Sequence, residues 1–139
     1  MRNISIPDGL EEYRLNDAVS VRFNPTDMTF LERLTAAFEA LDAVQEEVRL
    51  SREKITDERD VFPLARELDA RMRGILNGLF DTEICDPLFG SMNLFASSGG
   101  LPLWANLMLA VTEEVQNSMQ DELQQREKRI AKYVKKYQK

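Results

Sequence analysis

Two neighbouring stretches of this chain repeat apolar residues at alternating steps of four and three. Phe30, Leu34, Ala37, Leu41, Val44, Val48 and Ile55 form the first series, and Val61, Ala65, Leu68, Met72, Ile75 and Leu79 the second. Such spacing places side chains on one stripe of a helix, and the stripe requires burial. The first helix is predicted from about Asp27 to about Thr56, with Thr26 or Asp27 as its N-cap. The run Glu32, Arg33, Glu39, Asp42, Glu46, Glu47, Arg49 and Arg52 forms its solvated face. Asp57-Glu58-Arg59-Asp60 breaks the pattern, and Pro63 requires the second helix to start nearby, because proline fits only a first turn. That helix ends near Phe80. So short a break predicts an antiparallel pair. Gly74 and Gly78 are consistent either with close approach of another helix or with a fraying last turn.

The first 24 residues follow a different period. Ile4, Ile6, Tyr13, Leu15, Val19, Val21 and Phe23 alternate with polar positions and are interrupted by Pro7-Asp8-Gly9 and Asn16-Asp17. Period two between turn residues predicts a β-hairpin or small meander, which must lie on the helices because an isolated hairpin is marginal. Between residues 81 and 100 the pattern is irregular but apolar. Asp86 and Pro87 suggest the cap and first position of a short helix, and Ser97-Ser98-Gly99-Gly100 suggests a flexible link. Leu88, Phe89, Met92, Leu94 and Phe95 either seal the end of the helix pair or are held for a partner.

A last helix is predicted from about Pro102 to about Tyr137, a span of about 50 Å. Its beginning, from Leu101 and Leu103 through Trp104, Leu107, Met108, Leu109, Ala110 and Val111, is apolar on nearly every side and so demands cover all round. The helix pair covers one flank. The other flank calls for the hairpin or a second polypeptide, which marks Phe95, Leu101, Leu103, Trp104 and Met108 as candidate partner-binding residues. After Glu113 only Val115, Met119 and Leu123 punctuate a polar stretch, and Ile130, Tyr133, Val134 and Tyr137 then resume a stripe. Residues beyond about 125 are expected to project from the body or to be disordered, and such an amphipathic extension is suited to docking in a partner groove. The chain therefore divides into a hairpin element (1–24), a helical body (25–125) and a basic helical or disordered tail (126–139) within one domain. The fold class is mainly α: an antiparallel helix pair, a long C-terminal helix and a small N-terminal β element.

Charge sharpens this division. The chain carries a net charge of −6, yet residues 126–139 hold seven Lys or Arg against one acid, Glu127, a balance of +6 that leaves −12 on the remainder. An acidic body repels nucleic acid, whose affinity comes largely from neutralised phosphates. Lys128, Arg129, Lys132, Lys135 and Lys136 in the tail either complement a helix C-terminus as solvated cations or touch an acidic partner or RNA. No window approaches the roughly 20 apolar residues of a membrane span, and the N-terminus lacks the long apolar run of a signal peptide. A cytoplasmic location is expected.

The sequence has no histidine and a single cysteine, Cys85. Histidine bases, catalytic triads and imidazole metal centres are therefore excluded, as is a multi-cysteine metal site. No GxGxxG, Walker A or HExxH motif is present, and adjacent acids such as Glu113-Glu114 face different sides of a helix. No cofactor, metal site or enzymatic activity is expected.

Three segments carry a resemblance. Phe23-Asn24-Pro25-Thr26-Asp27 precedes a helix containing Phe30-Leu31-Glu32-Arg33-Leu34; the others are Cys85-Asp86-Pro87-Leu88-Phe89-Gly90-Ser91-Met92-Asn93 and Gly100-Leu101-Pro102-Leu103-Trp104-Ala105-Asn106-Leu107. Together they resemble a family encoded by phages and prophages of Gram-positive bacteria, in the genomic place of the tail assembly chaperone beside the tape measure gene. The similarity spans roughly Val19 to Tyr137. It implies a protein that works in the bacterial host cell, binds the long helical tape measure protein and prevents its aggregation; the apolar root of the last helix beside the Ser-Gly link separately offers a groove or a self-association face, so that a homo-oligomer is a further expectation. It also implies a frameshift extension near the basic end, and transfers no set of functional residues. A different class of function, an acidic phage protein that binds a host defence protein as inhibitor or trigger, would place the activity in the −12 body and make affinity fall steeply with salt.

Overall fold

In a computed structural model describing residues 1–137, the chain is mainly helical. Residues 138–139 of the basic tail lie outside the described residues. Strands β1 (Glu11–Leu15) and β2 (Val19–Phe23) form an antiparallel hairpin with Glu11 opposite Phe23 and Leu15 opposite Val19. Its turn uses Asn16 and Asp17 at φ of 50° and 54°, a left-handed conformation that Asn and Asp tolerate better than most residues. Residues 1–10, including Ile4 and Ile6, remain outside the sheet and exposed.

Helix α1 (Met28–Lys54) is capped by Asp27, whose carboxylate accepts from the Thr29 amide at 3.0 Å. Thr26 is instead engaged by Asn24 Oδ1. A 3₁₀ turn (Glu58–Asp60) leads into α2 (Val61–Phe80), which carries Pro63 in its first turn. The helices run antiparallel: Arg33 near the start of α1 reaches Gly78 O and Asp81 at the end of α2, whereas Glu47 further along α1 pairs with Arg71. Both apolar series meet in one core, from Phe30 to Val44 on α1 and from Leu68 to Phe80 on α2, with Leu76 rather than Ile75 fully enclosed. A Cβ added at Gly74 or Gly78 would meet nothing within 4 Å, so neither glycine serves a close helix approach. The last turn of α2 is instead held by Arg33 on the Gly78 carbonyl, at 2.6 Å, and by Asp81 in a left-handed C-cap at φ 50°.

The hairpin docks by aromatic stacking. Tyr13, Phe23 and Phe30 form a continuous stack with centroids 4.6 and 4.3 Å apart, and Phe80 leans on its inner end. Rings offset in this way bury large apolar area at low entropic cost and join β1, β2 and both helices at one point.

Helix α3 (Cys85–Phe89) begins earlier than the Asp86-Pro87 pattern suggests, with Ile84 at its N-cap. Capping groups come from outside it. Asn77 Oδ1 accepts from the Ile84 and Cys85 amides, and Glu83 accepts from the Asp86 amide. The segment turns back along the flank of α2, bonding in turn to Asn77, Arg73, Asp69 and Ala65, and so seals the side of the helix pair and not its end: Ile84, Cys85 and Leu94 are fully buried, Phe89 and Phe95 pack against the core, and Met92 stays exposed. The expected flexible link is a tight hairpin, in which β3 (Ser97–Ser98) pairs with β4 (Leu101–Pro102) around Gly99 and Gly100 at φ of 63° and 88°. Two successive positive φ angles are what glycine supplies without steric cost, so Gly-Gly here fixes a turn instead of loosening one. Helix α4 (Leu103–Tyr137) then runs for 35 residues, about 52 Å.

Candidate functional site

The inner half of α4 belongs to the core. Trp104, Met108, Val111 and Val115, at steps of four, three and four, are each at most 5% exposed, and Leu107 lies beside them. Trp104 also donates its indole N–H to Gln45 Oε1 on α1 at 2.9 Å, which satisfies the polar atom of an otherwise enclosed ring. Two of the five candidate partner-binding residues, Trp104 and Met108, are thus interior packing residues enclosed by the chain's own core, whereas Leu109 on another side of the same root is 46% exposed. Phe95 and Leu103 are half-buried. Of the set only Leu101 is exposed, at 40%, so these five do not form a binding surface.

The exposed apolar residues that share one helical stripe lie further out. Beside the root of α4, Ser118 and Glu114 approach Tyr13 of the hairpin, where burial and the neighbouring Glu11 carboxylate push the phenol up to about 12. Beyond Met119 the helix leaves the body: every residue from 120 to 136 is exposed. This outer half, about 25 Å long, carries Leu123, Ile130, Tyr133 and Val134 at 45–66% exposure. A shallow hollow bounded by Glu122, Gln125, Arg126, Arg129, Ile130 and Tyr133 lies along it, walled on one side only.

The outer stripe continues the core-facing side of α4 beyond the body. Positions five turns apart share a direction, so Leu123, Ile130 and Tyr133 repeat the directions of Ala105, Thr112 and Val115 on the core-facing side of the helix. Beyond Met119, which still packs against the core, no part of the body covers this side. The sequence displayed these residues, but the all-round apolar root of α4 gave the stronger signal of unmet burial.

Lys128, Arg129, Lys132, Lys135 and Lys136 flank this stripe and are exposed, while Asp121 and Glu122 stand nearer the body. The projecting helix is thus polar-charged along its length, acidic at its root and basic toward its tip.

Other chemistry is sparse. No group of three or more His, Cys, Asp or Glu among the described residues is arranged to hold a metal ion. Cys85 is fully buried, and desolvation pushes its thiol up to about 12. Since thiolate is the reactive form, alkylation by iodoacetamide at pH 8 should be at least about 100-fold slower in the native protein than in urea. The same shift sets a sign: the unfolded chain releases the thiol proton at about 8.5 and the folded one at about 12, so stability falls as pH rises through that interval. Among the described residues, no helix is long and apolar enough to cross a membrane. No family model, curated protein or solved structure matches this chain.

Proposed function

We propose that this protein is an assembly chaperone for a long helical partner, of the kind represented by the tape measure of a phage tail, and that it engages this partner through the outer half of α4. The observation that carries the reading is the stripe Leu123, Ile130, Tyr133 and Val134 on a helix segment exposed along its whole length. Apolar residues at helical spacing on a projecting segment suit helix-to-helix docking, in which anchors one turn apart enter the groove of the partner. Shielding an aggregation-prone helix requires such a face, and the aromatic and branched side chains here supply it without any catalytic group. The resemblance of the Phe23–Leu34, Cys85–Asn93 and Gly100–Leu107 segments to tail assembly chaperones supports the same role.

Co-expression with a tape measure fragment tests it. Leu123→Asp with Ile130→Asp should reduce capture of the fragment by at least about 100-fold, while the thermal unfolding midpoint of the body stays within about 2 °C, because both positions lie outside the core. Undiminished capture would overturn the assignment of this face. Capture that persists in the double variant but collapses between low and high salt would instead favour the acidic body as the working surface, as an inhibitor or trigger of a host protein would use it.

A further inference from the structure

We infer that the outer half of α4 pairs with the same segment of a second copy of this chain, as an antiparallel two-stranded coiled coil. The inference rests on reading this segment as an interaction face, and not on the identity of any target.

Residues 123, 126, 130 and 133 follow the alternating three-four spacing of a coiled-coil seam, filled by Leu123, Arg126, Ile130 and Tyr133, all exposed. Arg126 is the discordant member, and it decides the orientation. In a parallel pair each seam residue meets its own copy, so Arg126 would be buried against Arg126 of the second chain. Like charges desolvated together are strongly unfavourable. In an antiparallel pair centred on residue 128, Leu123 meets Tyr133 and Arg126 meets Ile130, each contact occurring twice. The Arg126 stem then covers Ile130 while its guanidinium reaches the seam edge.

Flanking charges favour the same arrangement. A parallel pair sets Glu122 beside Glu127 of its neighbour on both edges. The antiparallel pair replaces these two repulsions with two Glu122–Lys136 attractions and lays the basic tip along the root of the other copy, where Asp121 and Glu122 stand. It does place Glu127 opposite Glu127 and Arg129 opposite Arg129 at the centre. The two Arg126 guanidinium groups emerge on the Glu127 side and offset the first of these contacts.

Sedimentation equilibrium of the full chain without any target, from about 5 to 500 μM, tests this. The wild-type protein should dimerise, and Glu122→Lys and Lys136→Glu should each weaken the dimer about tenfold, because each substitution turns two attractions into repulsions. An equimolar mixture of the two variants should recover wild-type affinity to within about threefold. In that mixed pair the two substituted positions face each other with their charges exchanged and still attract, while the unaltered Glu122 and Lys136 meet as before. Both changes lie on exposed helix surface, and an unaltered circular dichroism spectrum verifies that folding is intact. A monomer at every concentration overturns the inference. So does a dimer indifferent to both charges, and so does tightening by Glu122→Lys, the signature of the parallel arrangement. Because no target is present, this result stands apart from capture of a tape measure fragment: either can fail while the other holds.

Discussion

Trp104→Ala should lower the free energy of unfolding by about 3–5 kcal/mol, read from urea denaturation followed by circular dichroism. Trp104 is 4% exposed and lies in the row with Met108, Val111 and Val115 that joins α4 to the helix pair. Truncation leaves a void too deep in the core for neighbouring side chains to fill, and it leaves Gln45 without the indole N–H at 2.9 Å. Trp104→Phe separates the contributions, since it retains most of the ring volume while removing the donor, and it should cost substantially less than the alanine variant. Met108→Ala, at a position with 0% exposure, belongs to the same class and should cost about 2–5 kcal/mol. These substitutions report on folding. Any loss of partner capture they cause should track the unfolded fraction, in contrast to changes at Leu123 and Ile130.

The second large effect is expected at Arg73. Its guanidinium donates to Asp69 at 2.9 Å, Asp86 at 2.9 Å, Gly90 O at 2.8 Å and Met92 O at 2.7 Å, while Asp69 also accepts from the Leu94 amide. The Arg73 and Asp69 side chains are only 15% and 17% exposed. One planar cation therefore fastens the sealing segment to α2 through two carboxylates and two carbonyls, a geometry that a lysine ammonium does not reproduce. Arg73→Ala leaves Asp69 charged in a largely enclosed place and should cost about 3–5 kcal/mol, and Arg73→Lys should recover only part of it. Hydrogen exchange of the Leu94 and Phe95 amides should show the release of this segment. Unchanged protection there would contradict its role as a fastener.

Much of the architecture was legible because burial follows period. The series from Phe30 and from Val61 marked both helices of the pair, and the alternation around Asn16-Asp17 marked the hairpin. The sealing segment was legible in its apolar content but not in its fastening, since Asn93 reaches Ala65 O and Leu94 reaches Asp69 across wide sequence separations. Ser97-Ser98-Gly99-Gly100 misled for a related reason: glycine signals permitted conformation, and only pairing with Leu101-Pro102 turns permission into a fixed turn. The candidate partner surface was misplaced on the same account. An all-apolar root implies cover, but whether that cover comes from the chain itself depends on tertiary contacts such as Trp104 to Gln45, which join residues with no local relation. The outer stripe carried the opposite signal: its seam was visible as spacing, and its exposure required the structure.

Because α4 is one uninterrupted helix from the enclosed Met108 to the far Val134, it works as a lever with its fulcrum inside the protein. A tilt of about 10° at Val115 sweeps Ile130 through about 4 Å, without bending or melting any hydrogen-bonded turn. A force applied at the tip would therefore be carried along the helix to the packing at its base.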